Sequence, residues 1–148
     1  MPVTPTPIFV QSPLIGYLNM SAQTACTTRG ITATASLAGA NIIQLLDTTT
    51  NGCRIDSFQV NACSTSITAA SAANLVQIWI WDGTNAQLYT EIAVSAITPS
   101  TTTAAFTTTV TLTNPLVLPS TYRLYASLTV TTTASTTALQ CFCFGGNY

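Results

Sequence analysis

Residues 74–94 read NLVQIWIWDGTNAQLYTEIAV. Two runs of strand-forming residues flank Asp82-Gly83-Thr84-Asn85. Asp-Gly between such runs is a hairpin signal, because glycine accepts the positive φ that tight turns need. In the first run Val76, Ile78 and Ile80 alternate with Leu75, Gln77, Trp79 and Trp81. The return run places Leu88, Ile92 and Val94 in phase. Successive strand residues point to opposite faces, so each run offers one apolar face to a core.

The same period recurs on both sides of this hairpin. Downstream, Phe106, Val110 and Leu112 alternate with Thr107, Thr109 and Thr111. After a connection bracketed by Pro115 and Pro119, the residues Tyr122, Leu124, Ala126, Leu128 and Val130 share a face. In the last run Leu139, Cys141 and Cys143 lie opposite Phe142 and Phe144, which makes that strand apolar on both faces. Upstream, CRIDSFQVNAC (53–63) aligns Phe58, Val60 and Ala62, with Ile55 out of phase. A bulge near Asp56 would restore the phase. The stretch NIIQLLD (41–47) fits a strand or a short helical turn. Residues 16–40 are small and weakly periodic, with room for one or two irregular strands. About eight strand candidates and no helix predict an all-β fold, an antiparallel β-sandwich of jelly-roll type. A seven-stranded Ig-like sandwich is the alternative.

The N-terminus carries Pro2, Pro5, Pro7 and Pro13. Proline fixes φ and removes a backbone donor, which predicts an extended arm over residues 1–20 ahead of a sandwich domain over 21–148. Ile8, Phe9 and Val10 are apolar residues that a solvated tail would not need. They suit an arm lying along a neighbouring subunit or along the domain's own sheet.

Charge is scarce. Only 5% of the 148 residues are charged, with three arginines, four acids, no lysine and no histidine; about 25% is usual. A net charge of −1 argues against nucleic acid and anionic membranes as partners, since both need clustered cations. No apolar run approaches the roughly 18 residues of a membrane span. The first residues lack the basic and apolar regions of a signal peptide, so synthesis in a cytosol is expected. The sequon Asn19-Met20-Ser21 then reads as a chance match.

The residue types that carry most catalysis are missing. Without histidine, a cysteine nucleophile lacks its usual base and a zinc site lacks half its usual ligands. Asp82 and Glu91 share the predicted hairpin, but the first suits the turn and the second a solvent face. The five cysteines, Cys26, Cys53, Cys63, Cys141 and Cys143, read as buried thiols acting as small apolar groups. No enzyme activity, metal or cofactor is expected. Trp79, Trp81 and Tyr89 fit two roles: core or subunit-contact aromatics, or a platform on which a sugar ring stacks.

A strand face built from threonine packs its methyls and leaves hydroxyls outward. Edge protection ordinarily uses lysine or inward charge, which this chain lacks. Such a face suits contact with other protein copies, because charged residues are depleted from interface cores.

The run WDGTNAQLYTEIAVSA (81–96), the threonine-rich strand and NPLVLPSTYRLYAS (114–127), with its L-x-L-P-x-x-Y-x-L pattern, together resemble small capsid decoration, or cement, proteins of tailed bacteriophages. The likeness spans roughly residues 75–130. It implies a sandwich that assembles, often as a homotrimer, on the exterior of an icosahedral shell. There it would bind the major capsid protein and stabilise the shell, after assembly in the host cytoplasm. Ile8, Phe9 and Val10 at one end and Phe142, Phe144 and Tyr148 at the other are the expected contact residues. The alternative is a head-fibre or tail-fibre tip, an adhesin binding host-surface glycans through Trp79, Trp81 and Tyr89.

Overall fold

The computed structural model describes residues 11–47 and 51–148. Ile8, Phe9 and Val10 lie outside the described residues. The strands are β1 (Ser12–Met20), β2 (Thr32–Ala33), β3 (Ile43–Leu46), β4 (Cys53–Ala62), β5 (Asn74–Trp81), β6 (Asn85–Val94), β7 (Thr107–Leu118), β8 (Arg123–Leu128) and β9 (Leu139–Asn147). A single 3-10 turn, Thr34–Ser36, follows β2. They form two antiparallel sheets, one in the order β1-β9-β4-β7 and the other β2-β6-β5-β8-β3.

The pairings are nested about the Asp82 turn. β5 pairs with β6, β4 with β7, β3 with β8 and β1 with β9. Two further pairings, β4 with β9 and β5 with β8, join these ribbons into sheets. A doubled ribbon wound so that its strands alternate between two facing sheets is a jelly roll. The all-β sandwich is therefore present, with β2 added at the free edge of β6.

Alternation places the core. Ile55, Phe58, Val60, Val76, Ile78, Leu124, Leu128 and Cys141 are all 0% exposed between the sheets. Burying each larger side chain contributes roughly 1.5–3 kcal/mol. The expected bulge is real: both partners of β4 shift register between Ile55 and Ser57. Against β9 the extra residue is Asp56, which turns Ile55 inward alongside Phe58; against β7 the extra residues lie in β7, between Thr111 and Leu116. In the other sheet a second bulge departs from the simple alternation. Ile78 pairs with Thr90 but Trp79 pairs with Leu88, so Tyr89 is the additional residue. Leu88 consequently packs on the outer face of its sheet, whereas Ile92 and Val94 enter the central core.

The boundary expected at residue 20 moves. Ser12–Met20 is a full strand, paired with β9 over nine positions from Ser12–Asn147 to Met20–Leu139. The chain is thus already in the sheet at residue 12. Leu14, Leu18 and Met20 face the core, and Pro13 is tolerated because β1 is an edge strand. Gly16 allows β1 to cross close over its neighbours, since a Cβ there would lie 2.7 Å from Cys143 Sγ and 3.0 Å from the Leu45 carbonyl oxygen.

Candidate functional site

The outer face of the β1-β9-β4-β7 sheet is built of rows running across the strands. One row joins Tyr17, Phe142, Gln59 and Thr109. The row beside it joins Ile15, Phe144, Ser57 and Thr111, and a third joins Asn19, Gln140, Asn61 and Thr107. The first two rows put three rings side by side. Tyr17 and Phe142 stack with centroids 6.1 Å apart and planes at 26°, and Phe142 and Phe144 stack at 6.1 Å and 13°. Ile15 is 63% and Tyr17 64% exposed. The face therefore grades from an aromatic half on β1 and β9 to a hydroxyl and amide half on β4 and β7. On the polar side Thr107 Oγ1 donates to Asn61 Oδ1 at 2.6 Å, and Gln59 Nε2 donates to the same oxygen at 3.1 Å. The nearest charges are Arg54 and Asp56, which neutralise one another with Nε and Oδ1 2.9 Å apart.

Of the expected contact residues, Phe142 and Phe144 lie in this stack. Tyr148 is half-buried past the end of β9, where its backbone N–H donates to the Gly52 carbonyl at 3.2 Å. Among the described residues the stack does not extend to it. Ile15 and Tyr17 are the additions that the sequence reading missed. The alternation of Leu14, Leu18 and Met20 against Ile15, Tyr17 and Asn19 was the available signal, diluted by Gly16 and the neighbouring prolines.

The other sheet presents no such face, because the segment between β1 and β3 lies over it. Cys26, Leu37 and Ile42 from that segment form a second apolar cluster with Trp79 and Ala86, and Leu88, Trp81 and Tyr125 pack against it. Cys26 N–H donates to the Leu128 carbonyl at 2.6 Å, and Thr34 N–H to the Thr84 carbonyl at 2.9 Å. This cover separates the aromatics of the alternative reading, the sugar platform. Trp79 is 0% exposed, and its Nε1–H donates to Ser127 Oγ at 2.8 Å. Ser127 donates onward to Gln77 Oε1 at 2.7 Å. Gln77 Nε2 donates to Glu91 Oε1 at 3.0 Å, and Arg29 reaches the same oxygen at 2.8 Å. Trp81 donates to Thr34 Oγ1 at 2.8 Å and lies under the Arg123 guanidinium, 4.9 Å from its centroid. Tyr89, displaced by the bulge, stands in a separate cleft with Ile80. The three aromatics therefore form no common surface.

Charges are consumed in pairs. Arg29 meets Glu91, Arg54 meets Asp56 and Arg123 meets Asp47, at 2.8, 2.9 and 2.9 Å. Hydrogen bonds from the Gln77 amide and then from Arg29 hold the Glu91 carboxyl below the usual range. The fourth acid, Asp82, caps its own turn: the N–H groups of Thr84 and Asn85 donate to Oδ1 at 2.9 and 2.8 Å. These two bonds, that from Asn85 foremost, hold its carboxyl low. Asp82 and Glu91 thus serve separate structural partners.

Four of the cysteines, Cys26, Cys53, Cys141 and Cys143, are buried, and Cys63 is half-buried. Burial, with the neighbouring Cys143, pushes the Cys141 thiol up to about 12. Burial likewise pushes Cys143 up to about 12. No group of three or more His, Cys, Asp or Glu side chains able to hold a metal occurs among the described residues. No helix among them is long and apolar enough to cross a membrane.

Together these features define a jelly-roll sandwich with one sheet face covered by its own chain and the other carrying uncharged, partly exposed aromatic rows. No protein-family model matches the sequence, and comparison with curated proteins and with solved structures finds no match.

Proposed function

We propose that this chain is a structural virion protein. In this reading it is a decoration or cement protein that binds the major capsid protein on the capsid exterior, as a homotrimer, and performs no catalysis. The observation that carries the reading is the Ile15–Tyr17–Phe142–Phe144 patch. Exposed Ile15 and Tyr17 in line with half-buried Phe142 and Phe144, beside uncharged polar rows, have the composition of an interface and not of a solvated sheet face. Further support comes from the jelly roll, an architecture used by viral capsid domains among others, and from the sequence resemblance. With its arginines paired within the chain, the protein must gain affinity from apolar area and shape. Repetition of the contact around a shell then supplies avidity.

The test is co-sedimentation with shells assembled from the major capsid protein of the same genome, alongside sedimentation velocity of the free protein. Tyr17→Ala is the informative variant, because a largely exposed ring contributes little to folding. A folded variant that loses its trimer or its shell occupancy supports the reading. Wild-type protein that stays monomeric and never co-sediments would overturn it. The fibre-tip or adhesin alternative loses its original support, since Trp79 is enclosed and offers a ligand no ring face.

A further inference from the structure

The bulge that parts Tyr89 from Trp79 and Trp81 delivers it to a different place. A cleft of about 280 Å³ opens beside the Asp82 turn, lined by Ile80, Asp82, Gln87, Leu88, Tyr89 and Tyr122. Its layout follows from the register. Ile80 on β5 is directly opposite Gln87 on β6 and Leu124 on β8, so Ile80 forms a central apolar floor. Tyr89 rises on the β6 side and Tyr122 on the β8 side. Asp82 closes one end.

We propose that this cleft is a binding site for a neutral sugar ring, a hexopyranose or its N-acetylated form. Four observations converge on it. Tyr89 is 39% exposed and Tyr122 half-exposed, which gives ring faces against which the C–H side of a pyranose packs. The volume is near the lower end of the roughly 300–1,000 Å³ typical of small-molecule sites, the scale of one ring and not of a chain. Asp82 is the single acid not paired with an arginine among the described residues. Its Oδ1 is already fixed by two backbone N–H groups, so Oδ2 is an oriented, ionised acceptor for hydroxyl protons. Gln87, exposed beside it, supplies both a donor and an acceptor, the complement that adjacent hydroxyls require.

The same groups select against other ligands. Asp82 repels phosphate and sialic acid carboxylate, and no arginine lines the cleft to offset it. An ammonium ligand would use the carboxylate and the rings but would leave the Gln87 donor without a role. The site does not depend on the assembly reading: it lies on the sheet opposite the Tyr17–Phe142 face and is available to a decoration protein or to a fibre tip.

The experiment is saturation-transfer NMR on the full chain with methyl glycosides of glucose, galactose and mannose and with N-acetylglucosamine. Sialic acid and choline serve as charged controls. Binding of at least one neutral sugar with Kd on the order of 1 mM is expected, as weak single-ring sites allow. Tyr89→Ala should weaken it by about tenfold or more, and Gln87→Ala by severalfold. Both side chains are exposed, so unchanged circular dichroism and melting separate lost binding from lost fold. Asp82→Asn keeps an Oδ1 to cap the turn and should weaken sugar binding while admitting sialic acid. The proposal is overturned by no neutral sugar binding at tens of millimolar, by binding indifferent to Tyr89→Ala and Gln87→Ala, or by choline binding in place of sugars.

Discussion

Ser127→Ala removes one oxygen atom from the covered side of the second sheet. Ser127 is 0% exposed, as is Trp79, and Gln77 is 1% exposed. The hydroxyl accepts from Trp79 Nε1 at 2.8 Å and donates to Gln77 Oε1 at 2.7 Å. Alanine fills nearly the same space, so the cavity contribution is small and the loss is polar. Two buried groups lose their partner, each costing about 1–3 kcal/mol, for a sum of about 2–6 kcal/mol. Gln77 remains held through Nε2 by Glu91 and by the Thr28 carbonyl, so its side chain cannot turn freely to recover a partner, and the middle of that range is expected. For a domain of this size about 4 kcal/mol corresponds to a melting temperature lower by roughly 8–16 °C. With a urea m-value of about 2 kcal/mol/M it also corresponds to a midpoint lower by about 2 M.

Trp fluorescence during urea unfolding measures the Ser127→Ala change, and a cycle with Trp79→Phe assigns it. Once Trp79→Phe has removed the indole donor, Ser127→Ala should cost less by about 1 kcal/mol or more. If Ser127→Ala shifts stability by less than about 0.5 kcal/mol, the value usual at exposed sites, the network is not closed. Trp79 would then be accessible, and the aromatic platform that the structure dismantles would return as a candidate ligand surface.

Gly145→Ala should be far more damaging, because a Cβ there collides with the Arg54 carbonyl oxygen and lies 2.9 Å from Ile55 Cα. A loss of about 3 kcal/mol or more, seen as poor soluble yield or early melting, is expected. Gly83→Ala, where nothing lies within 4 Å at φ +103°, should cost only about 1 kcal/mol of backbone strain. Stability should also decline with alkali: the unfolded thiols ionise near 8.5, whereas Cys141 and Cys143 stay protonated to about 12. Between those values only the unfolded state releases protons, so the urea midpoint should fall as pH rises from about 8.5. The acid side runs the other way. The lowered carboxyls of Glu91 and Asp82 contribute stability above about pH 4 that is lost as pH falls through their depressed values. Finally, trimer and shell affinity should change little between about 0.05 and 1 M salt, because the ion pairs are internal and little long-range charge remains to screen; release by moderate salt would refute an uncharged interface.

The strand content was legible because alternation is local. Phe58 and Val60, Val76 and Ile78, or Leu124, Ala126 and Leu128 announce a buried face within a few residues of one another. Even the bulge at Asp56 could be read, since Ile55 was a large apolar residue out of phase and only an inserted residue restores it. The bulge at Tyr89 left no such mark. Leu88 and Ile92 have the spacing of one face, and an apolar cluster happened to await Leu88 on the other. The strand at Ser12–Met20 was hidden for a related reason: proline and glycine weaken a pattern without forbidding an edge strand.

By itself the sequence determined that the protein is an all-β sandwich, that charged residues are few, and that lysine and histidine are missing. These are properties of composition and short-range period. Which apolar face is covered and which is exposed was decided only by tertiary structure. Trp79 and Phe142 are both bulky aromatics on the face of a strand away from the central core. The segment between β1 and β3 crosses over the first and leaves the second uncovered by it, half-buried beside exposed Tyr17. That outcome depends on where chain distant in sequence comes to rest, which no local period encodes.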